Sequence, residues 1–168
     1  MDDKRTAGSS LCYRPSARGY RFHKCNTSGN VCFVNDDIEK EAISLGSPWA
    51  YVLQAAVEAV IQAIKKGRLK RELDPCSDAV VKPCVTQPDI WELRWNVHSV
   101  LYRMYYSEDE GRSPEFVALS FVRKDIGGLS SAKIRKNQNR AIRKAQKRFI
   151  EYMPNRWGHA NGKCNYCA

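Results

Sequence analysis

The chain has 168 residues, of which 43% are hydrophobic and 10% aromatic, a composition typical of one globular domain and not of a disordered chain. Its 28 Lys and Arg residues outnumber 18 Asp and Glu residues, and the net charge of +10 favours an anionic partner such as nucleic acid. No run of about 18 apolar residues could span a membrane, and the first ten residues lack the apolar core of a secretory signal. We therefore expect a cytoplasmic protein with no membrane partner.

The first third of the chain predicts an arm, a strand and a helix. Residues 1–30 have no strand or helix periodicity and are interpreted as an irregular N-terminal arm. Asn30–Val34 is a short apolar strand candidate. Asp36 and Asp37 are typical of a helix N-cap and predict a brief helix that ends at Leu45, before Gly46.

A longer helix is predicted from Ser47 to Lys66. Ser47 would be its N-cap and Pro48 its first helical residue. The apolar residues that follow recur at intervals of three and four, which indicates one buried stripe. The stripe consists of Leu53, Val57, Val60, Ile61 and Ile64.

The second half predicts a three-stranded meander and a last helix. The proline-containing segment 74–88 is interpreted as a loop, and alternation predicts strands over 91–97, 100–106 and 116–122. A helix then begins at Ser130 or Ser131, with Ile134, Ala141, Ile142, Ala145 and Phe149 on one face. This order predicts an α+β fold with helices on a small antiparallel sheet, in a domain of residues 31–150 followed by a tail of residues 151–168.

The last helix carries a dense set of cations without any acidic residue between Ser131 and Arg148. Like charges one turn apart destabilise a helix, so the set favours an anionic partner, whereas the ordinary alternative is a solvated basic face. The predicted RNA-binding residues are Lys133, Arg135, Lys136, Arg140, Arg143, Lys144 and Lys147, and Arg148 completes the set.

Cations also lie on the predicted strands. Arg94, Arg103, Arg123 and Lys124 come from three consecutive strands, so antiparallel pairing could bring them to one surface that binds a phosphate. Alternation places Arg94 beside Glu92, away from the core, but leaves the face of Arg103 open. The alternative is that Glu92 simply pairs with an adjacent arginine.

Three motifs in order resemble one toxin family. They are Glu-Leu-Arg at 92–94, Tyr-Arg-Met-Tyr-Tyr at 102–106, and Phe-Val-Arg-Lys at 121–124, followed by a helix with Ala141 and Arg148. The pattern is similar to the HigB and phage-derived gp49-like branch of the RelE/ParE toxin superfamily. The resemblance covers about residues 31–150, and its specific motifs lie within 91–124.

The resemblance implies a RelE-like fold and a ribosome-dependent mRNA endonuclease that inhibits translation and is neutralised by a cognate antitoxin. Cleavage would use the RNA 2′-hydroxyl and no metal. Arg103 would hold the scissile phosphate, Arg123 and Lys124 would stabilise transition-state charge, and Arg94 would support them. We expect Arg103 and Lys124 to face solvent, so that replacing them would leave the fold intact.

The sequence departs from the family at the proton-transfer residue, which many members place near the last helix or the chain end. Here the helix opens with Gly-Gly-Leu-Ser-Ser. His98, in the turn between two strands, and His159 are the better candidates because imidazole titrates near neutrality. Tyr152 and Tyr166 are the other candidates.

Seven cysteines raise the alternative of a zinc site, although no cofactor is expected for the cleavage itself. Cys164 and Cys167 have the spacing of a zinc knuckle, and His159 lies five residues before Cys164. Cys12, His23, Cys25 and Cys32 could form a second set. Free thiols or a disulfide are the more ordinary interpretations.

A second function is compatible with the same residues. Relatives of the ParE type act on gyrase without cutting RNA, so a toxin-like fold does not fix the activity. The alternative is a non-catalytic module, of phage or mobile-element origin, whose basic helix binds nucleic acid or a host protein. An imidazole or phenol within hydrogen-bonding reach of Arg103 and Lys124 would favour the enzyme.

Overall fold

The computed structural model describes residues 9–23, 33–69, 80–109 and 115–154. These residues form a five-stranded sheet with helices on both faces. The elements are β1 (Arg21–His23), α1 (Phe33–Leu45), α2 (Trp49–Lys65), β2 (Val80–Pro83), β3 (Trp91–Val97), β4 (Val100–Asp109), β5 (Glu115–Arg123) and α3 (Ser131–Tyr152). The α+β class is confirmed.

The sheet is mixed, so the expectation of an antiparallel sheet is wrong at one edge. The strand order is β1-β5-β4-β3-β2, and β1 runs parallel to β5 while the other neighbours are antiparallel. Phe22 pairs with Phe116 in register, and both side chains are buried in the core. Three residues are too few to show a strand periodicity, so β1 was not predictable from alternation.

The two faces of the sheet carry different layers. Helices α1 and α2 cover the larger core, to which alternate residues of the central strands contribute, such as Leu93, Met104 and Phe121. Helix α3 covers the other face, where Tyr105 and Leu119 meet Ala141 and Ala145. The predicted apolar face of α3 is confirmed.

The start of α1 differs from the prediction. The helix begins at Phe33, so Phe33 and Val34 are helical and not part of the strand predicted over 30–34, whose other residues lie outside the described ranges. Asp36 consequently lies inside the first turn and Asp37 directly after it, so neither caps the helix. Asp37 has a partner of its own instead, because its buried carboxylate accepts a hydrogen bond from the backbone N–H of Phe121 at 3.2 Å.

Helix α2 keeps its predicted stripe but not its predicted cap. The five stripe residues are all buried. The helix begins at Trp49, with Pro48 in the cap position and no side-chain cap, so Ser47 is not the N-cap. Gly46 separates the helices with φ +71°, a left-handed conformation that glycine adopts without a steric penalty.

Two segments predicted to be irregular contain regular structure. Strand β2 lies within the proline-containing loop predicted over 74–88, and it forms the sheet edge, where proline is tolerated. Residues 9–23 of the predicted arm are also part of the fold, since Leu11, Cys12 and Phe22 are buried in the larger core. Their apolar side chains are too irregularly spaced to indicate an element.

A polar network fastens this N-terminal segment to β4. The carboxylate of Glu108 accepts hydrogen bonds from the Leu11 N–H at 3.0 Å, from the Tyr106 hydroxyl at 3.2 Å, and from the Ser10 hydroxyl. Cys12 lies in the same network, and burial raises the pKa of its thiol to about 12. A thiol with such a pKa stays protonated at neutral pH, so Cys12 acts here as a buried, hydrogen-bonded residue.

Candidate functional site

Glu92 is the centre of a buried ionic cluster on the α3 face of the sheet. Its side chain is 4% exposed and accepts from Arg103 Nε at 3.1 Å and from Arg94 Nε. Gln138 of α3 donates to its second oxygen at 3.3 Å. The pairing arises because Arg94 and Arg103 are directly opposite in the β3–β4 register and Glu92 shares their face. Glu92 therefore pairs with an adjacent arginine, as the simpler interpretation held.

Arg103 is buried, which contradicts the expectation that it faces solvent. Arg103 is only 6% exposed because α3 covers this part of β4. The guanidinium uses Nε for Glu92, while Nη1 is buried and makes no hydrogen bond of good geometry within the described residues, although the Tyr105 hydroxyl lies beside the guanidinium. An unused donor of this kind can bind an anion once a small rearrangement of the side chain opens the donor to a ligand.

Lys124 lies just beyond the end of β5 and is half-buried, so the expectation that it faces solvent holds only in part. Burial lowers the pKa of its amine below the ordinary value of 10.5. The positive charges of Arg103 and Arg94 lower this pKa further, while Glu92 acts in the opposite direction. Because Arg103, Arg94 and Glu92 all act on its pKa, Lys124 lies close to the Glu92 cluster. At a given pH a larger fraction of its amine is neutral than in an ordinary lysine.

Arg123 does not share the face of Arg103. It is opposite Tyr102, whose side chain lies in the larger core, and its own side chain is exposed at the end of β5. Strand alternation therefore separates Arg123 from the Glu92 cluster, although it contributes to the wall of the neighbouring cavity.

A cavity of about 400 Å³, which we call the α3 cavity, is lined by residues of α1, the middle of β4, the end of β5 and α3. Five cationic and two anionic side chains line it, together with two amides and four residues of more apolar character. They are Arg103, Arg123, Lys124, Arg140 and Lys144; Glu41 and Asp125; Asn137 and Gln138; and Tyr105, Val122, Ile134 and Ala141. The excess of cations favours an anionic ligand.

The floor of the α3 cavity contains a phenol. Tyr105 is fully buried, and its hydroxyl has no hydrogen-bond partner of good geometry among the described residues. Burial and the Glu92 charge raise the pKa of this phenol, while Arg103 beside it acts in the opposite direction. Tyr105 is therefore a neutral donor next to Arg103 at any ordinary pH. Sequence reasoning did not single it out, although its alternation with Met104 and its place next to Arg103 were visible.

Two cations of α3 are held by a second buried carboxylate. Lys144 Nζ donates to Asp37 Oδ1 at 3.0 Å, and Arg148 Nη1 donates to Asp37 Oδ2 at 3.1 Å. Arg148 Nη1 also donates to the carbonyl of Leu119 at 2.6 Å. These contacts fix α3 against α1 and β5, so Lys144, predicted to bind RNA, also has a structural partner.

The remaining predicted RNA-binding residues are exposed on α3. Lys133, Arg135, Lys136, Arg140, Arg143 and Lys147 all face solvent. Part of this set forms a shallow strip on the outer surface of the helix with Ala132 and Asn139 between the cations. Arg140 belongs both to this strip and to the α3 cavity, so the two positive surfaces are continuous.

His98 does not line the α3 cavity. It lies in the β3–β4 turn with φ +50°, and its ring stacks on Trp49 of α2 at a centroid distance of 3.7 Å. Trp49 begins a helix that packs on the other face of the sheet from α3. The structure therefore places His98 apart from Arg103 and Lys124.

The other proton-transfer and zinc candidates fall mostly outside the described ranges. These are His159, Cys164, Tyr166 and Cys167, and also Cys25 and Cys32 of the second set. No group of three or more His, Cys, Asp or Glu residues suited to a metal ion occurs in the part of the chain that the structure describes. Tyr152 is half-buried at the end of α3, packed against the smaller core.

Searches with protein-family models, curated proteins and solved structures gave no match to this chain. Within the described ranges, no helix is both long enough and apolar enough to cross a bilayer. The function has to be inferred from the chemistry of the α3 cavity and of the strip beside it.

Proposed function

We propose that the protein binds RNA along α3 and cleaves its backbone in the α3 cavity without a metal ion, as a toxin-like mRNA endonuclease acting on the ribosome. The observation that carries the proposal is that Arg103, held through Nε by Glu92, lines the α3 cavity beside Lys124. A cognate antitoxin would neutralise the protein by covering this positive surface.

The chemistry requires three events that these residues can support. The RNA 2′-oxygen attacks the adjacent phosphorus, the bond from phosphorus to the 5′-oxygen breaks, and a 2′,3′-cyclic phosphate and a 5′-hydroxyl form. Lys124, with its lowered pKa, accepts the 2′-hydroxyl proton, and the leaving 5′-oxygen takes a proton from solvent. Arg103 donates to the phosphate oxygens as their negative charge grows, which stabilises the transition state.

Arg94 and Arg123 take smaller roles in this proposal. Arg94 is paired with Glu92 and supports the cluster that positions Arg103. Arg123 adds long-range positive charge at the rim of the α3 cavity. The exposed cations of α3 hold the rest of the RNA backbone, and their contribution will weaken with rising salt because binding releases counterions.

The test measures cleavage of an mRNA on translating ribosomes, with the chemical form of the new ends determined. Wild-type protein should give 2′,3′-cyclic phosphate and 5′-hydroxyl ends. Lys124→Ala should lower the rate by about 10²- to 10⁴-fold because it removes the proton acceptor. Arg103→Lys should lower it by about 10²-fold, since it keeps the charge but loses the guanidinium fork.

Lys66→Ala is the matched control, because Lys66 is an exposed lysine at the end of α2, away from the α3 cavity. It should cleave like the wild type. A folded Lys124→Ala variant that cleaves at the wild-type rate would contradict the proposal, and so would new ends that carry 5′-phosphates.

A non-catalytic nucleic-acid-binding module is the second candidate function. The observation that favours it is the strip on the outside of α3, which is positive, exposed and independent of the cavity chemistry. Tight, salt-dependent RNA binding without new ends in the same assay would support this candidate and reject the enzyme.

A further inference from the structure

The α3 cavity is larger than a phosphate group requires, and part of its wall is apolar. Its volume of about 400 Å³ is many times the roughly 30 Å³ of one water and is within the range of small-molecule sites. Tyr105, Val122, Ile134 and Ala141 give it an apolar wall next to the cations. A wall of this kind, adjacent to an anion-binding arginine, suits a flat, weakly polar group attached to a phosphate, and in RNA that group is a nucleobase.

The polar groups on the cavity wall are not all cationic. Glu41 of α1 is half-buried and contributes a carboxylate, and Asn137 of α3 contributes an amide. An ionised carboxylate only accepts hydrogen bonds, whereas an amide both donates and accepts. Glu41 would weaken the binding of a bare phosphate, so its presence is better explained by a ligand that brings hydrogen-bond donors.

We propose that the α3 cavity binds the base adjacent to the cleaved phosphate and that Glu41, together with Asn137, selects guanine. This inference rests on the proposed function for the identity of the substrate as RNA. Guanine presents two neighbouring donors, N1–H and the 2-amino group, to a carboxylate, and its O6 accepts from an amide. The phosphate of the same nucleotide then lies on Arg103 and Lys124.

The other three bases fit Glu41 less well. Adenine and cytosine each offer one amino group next to an unprotonated ring nitrogen, whose lone pair a carboxylate repels. Uracil offers a single N–H between two carbonyl oxygens. The arrangement therefore discriminates by leaving the carboxylate poorly partnered when the wrong base enters, which is an effective source of specificity in a half-buried site.

The experiment measures the binding of GMP, AMP, CMP and UMP to the full-length protein by calorimetry. GMP should bind about tenfold or more tightly than the other three, as expected for one bidentate contact to a base. Glu41→Gln should remove the preference for GMP, and the affinity for AMP should stay the same or rise somewhat because the carboxylate no longer repels the phosphate. Glu39→Gln is the matched control, since Glu39 is an exposed carboxylate of the same helix that does not line the α3 cavity.

Inosine monophosphate provides a test that needs no variant. It lacks the 2-amino group of guanine, so it should bind several-fold more weakly than GMP. Equal affinity for all four nucleotides, or for GMP and inosine monophosphate, would overturn the inference, and so would the absence of nucleotide binding by protein that cleaves RNA. Guanine selection without any RNA cleavage would keep the pocket and reject the proposed catalysis, so the two failures are distinguishable.

Discussion

Two buried carboxylates, Asp37 of α1 and Glu92 of β3, each hold two cations, and they differ in what they leave unpaired. Asp37 receives Lys144, Arg148 and a backbone N–H of β5. Glu92 receives Arg94, Arg103 and the amide of Gln138, but Nη1 of Arg103 makes no hydrogen bond of good geometry in the described part of the chain.

The difference separates a structural ion cluster from one that positions a functional group. At Asp37 the two cations of α3 bind a carboxylate of α1 that also binds β5, so these contacts hold α3 in place. At Glu92 the carboxylate fixes the orientation of Arg103 through Nε, and the same arginine lines the α3 cavity. A buried polar group left unsatisfied is costly, and a cost of this kind is often retained where a ligand supplies the missing partner.

The largest expected effect comes from neutralising the structural carboxylate. Asp37→Asn removes the charge that Lys144 and Arg148 share and weakens the bond from the Phe121 N–H, so the free energy of unfolding should fall by about 2–4 kcal/mol. Urea denaturation of the two proteins measures this difference in the free energy of unfolding. Asp36→Asn, at the exposed neighbouring residue, should change it by less than about 0.5 kcal/mol.

The comparison would fail if Asp37→Asn were as stable as Asp36→Asn. In that case the contacts of α3 with Asp37 would contribute no more than an ordinary surface ion pair, and the two carboxylates would not differ in role.

A smaller effect concerns the Glu92 cluster and is the pH dependence of stability that Lys124 causes. The pKa of Lys124 is lower in the folded protein than its ordinary 10.5, so between the two values the folded chain binds fewer protons than the unfolded chain. Stability therefore rises with pH across that window because of Lys124. The raised pKa of Cys84, about 12, acts oppositely, since the unfolded thiol loses its proton first.

The difference between wild type and Lys124→Met isolates the lysine, since Cys84 is common to both. That difference should shift in favour of the wild type as the pH rises through the region just below 10.5. The cleavage rate of the wild type should also rise with pH and level off below 10.5. A stability difference that is flat with pH would mean that Lys124 titrates like an exposed lysine.

The smallest effect concerns the turn histidine. His98→Asn removes the ring that stacks on Trp49 while keeping a residue that tolerates positive φ, so stability should fall by about 0.5–1.5 kcal/mol. RNA cleavage should be unchanged, because His98 lies apart from the α3 cavity. A loss of cleavage greater than about tenfold in the folded variant would return His98 to the list of proton-transfer residues.

The sequence predicted the parts of the fold that repeat along the chain. The stripe of α2, the alternation of β3 and the apolar face of α3 follow from periods of 3.6 and 2, and each is confirmed. The same alternation placed Arg94 beside Glu92. Elements with too few residues for a period, such as β1, or with prolines at a sheet edge, such as β2, were not predictable in this way.

The candidate site was predictable only as a set of cations. Which face Arg103 occupies depends on its register with Arg94, and its burial depends on α3 returning across the sheet, so neither follows from local pattern. Glu41 and Tyr105 enter the α3 cavity from α1 and β4, and their roles depend on contacts between elements far apart in sequence. Arg123 was predicted to join the cluster but does not, because its pairing with Tyr102 places its side chain on the opposite face of the sheet from Arg103.

The edge of β5 that faces away from β4 is covered in two different ways, by a strand and by a pair of side chains. Over Glu115–Val117 the cover is β1, and further along it is the pair Asp37–Arg148, which binds the N–H of Phe121 and the carbonyl of Leu119 as a neighbouring strand would. An edge completed by side chains offers no backbone to an incoming strand, which limits edge-to-edge aggregation. During synthesis, however, β1 and Asp37 are made 94 and 84 residues before their partners in β5, so the edge is sealed only after β5 and then Arg148 have been made.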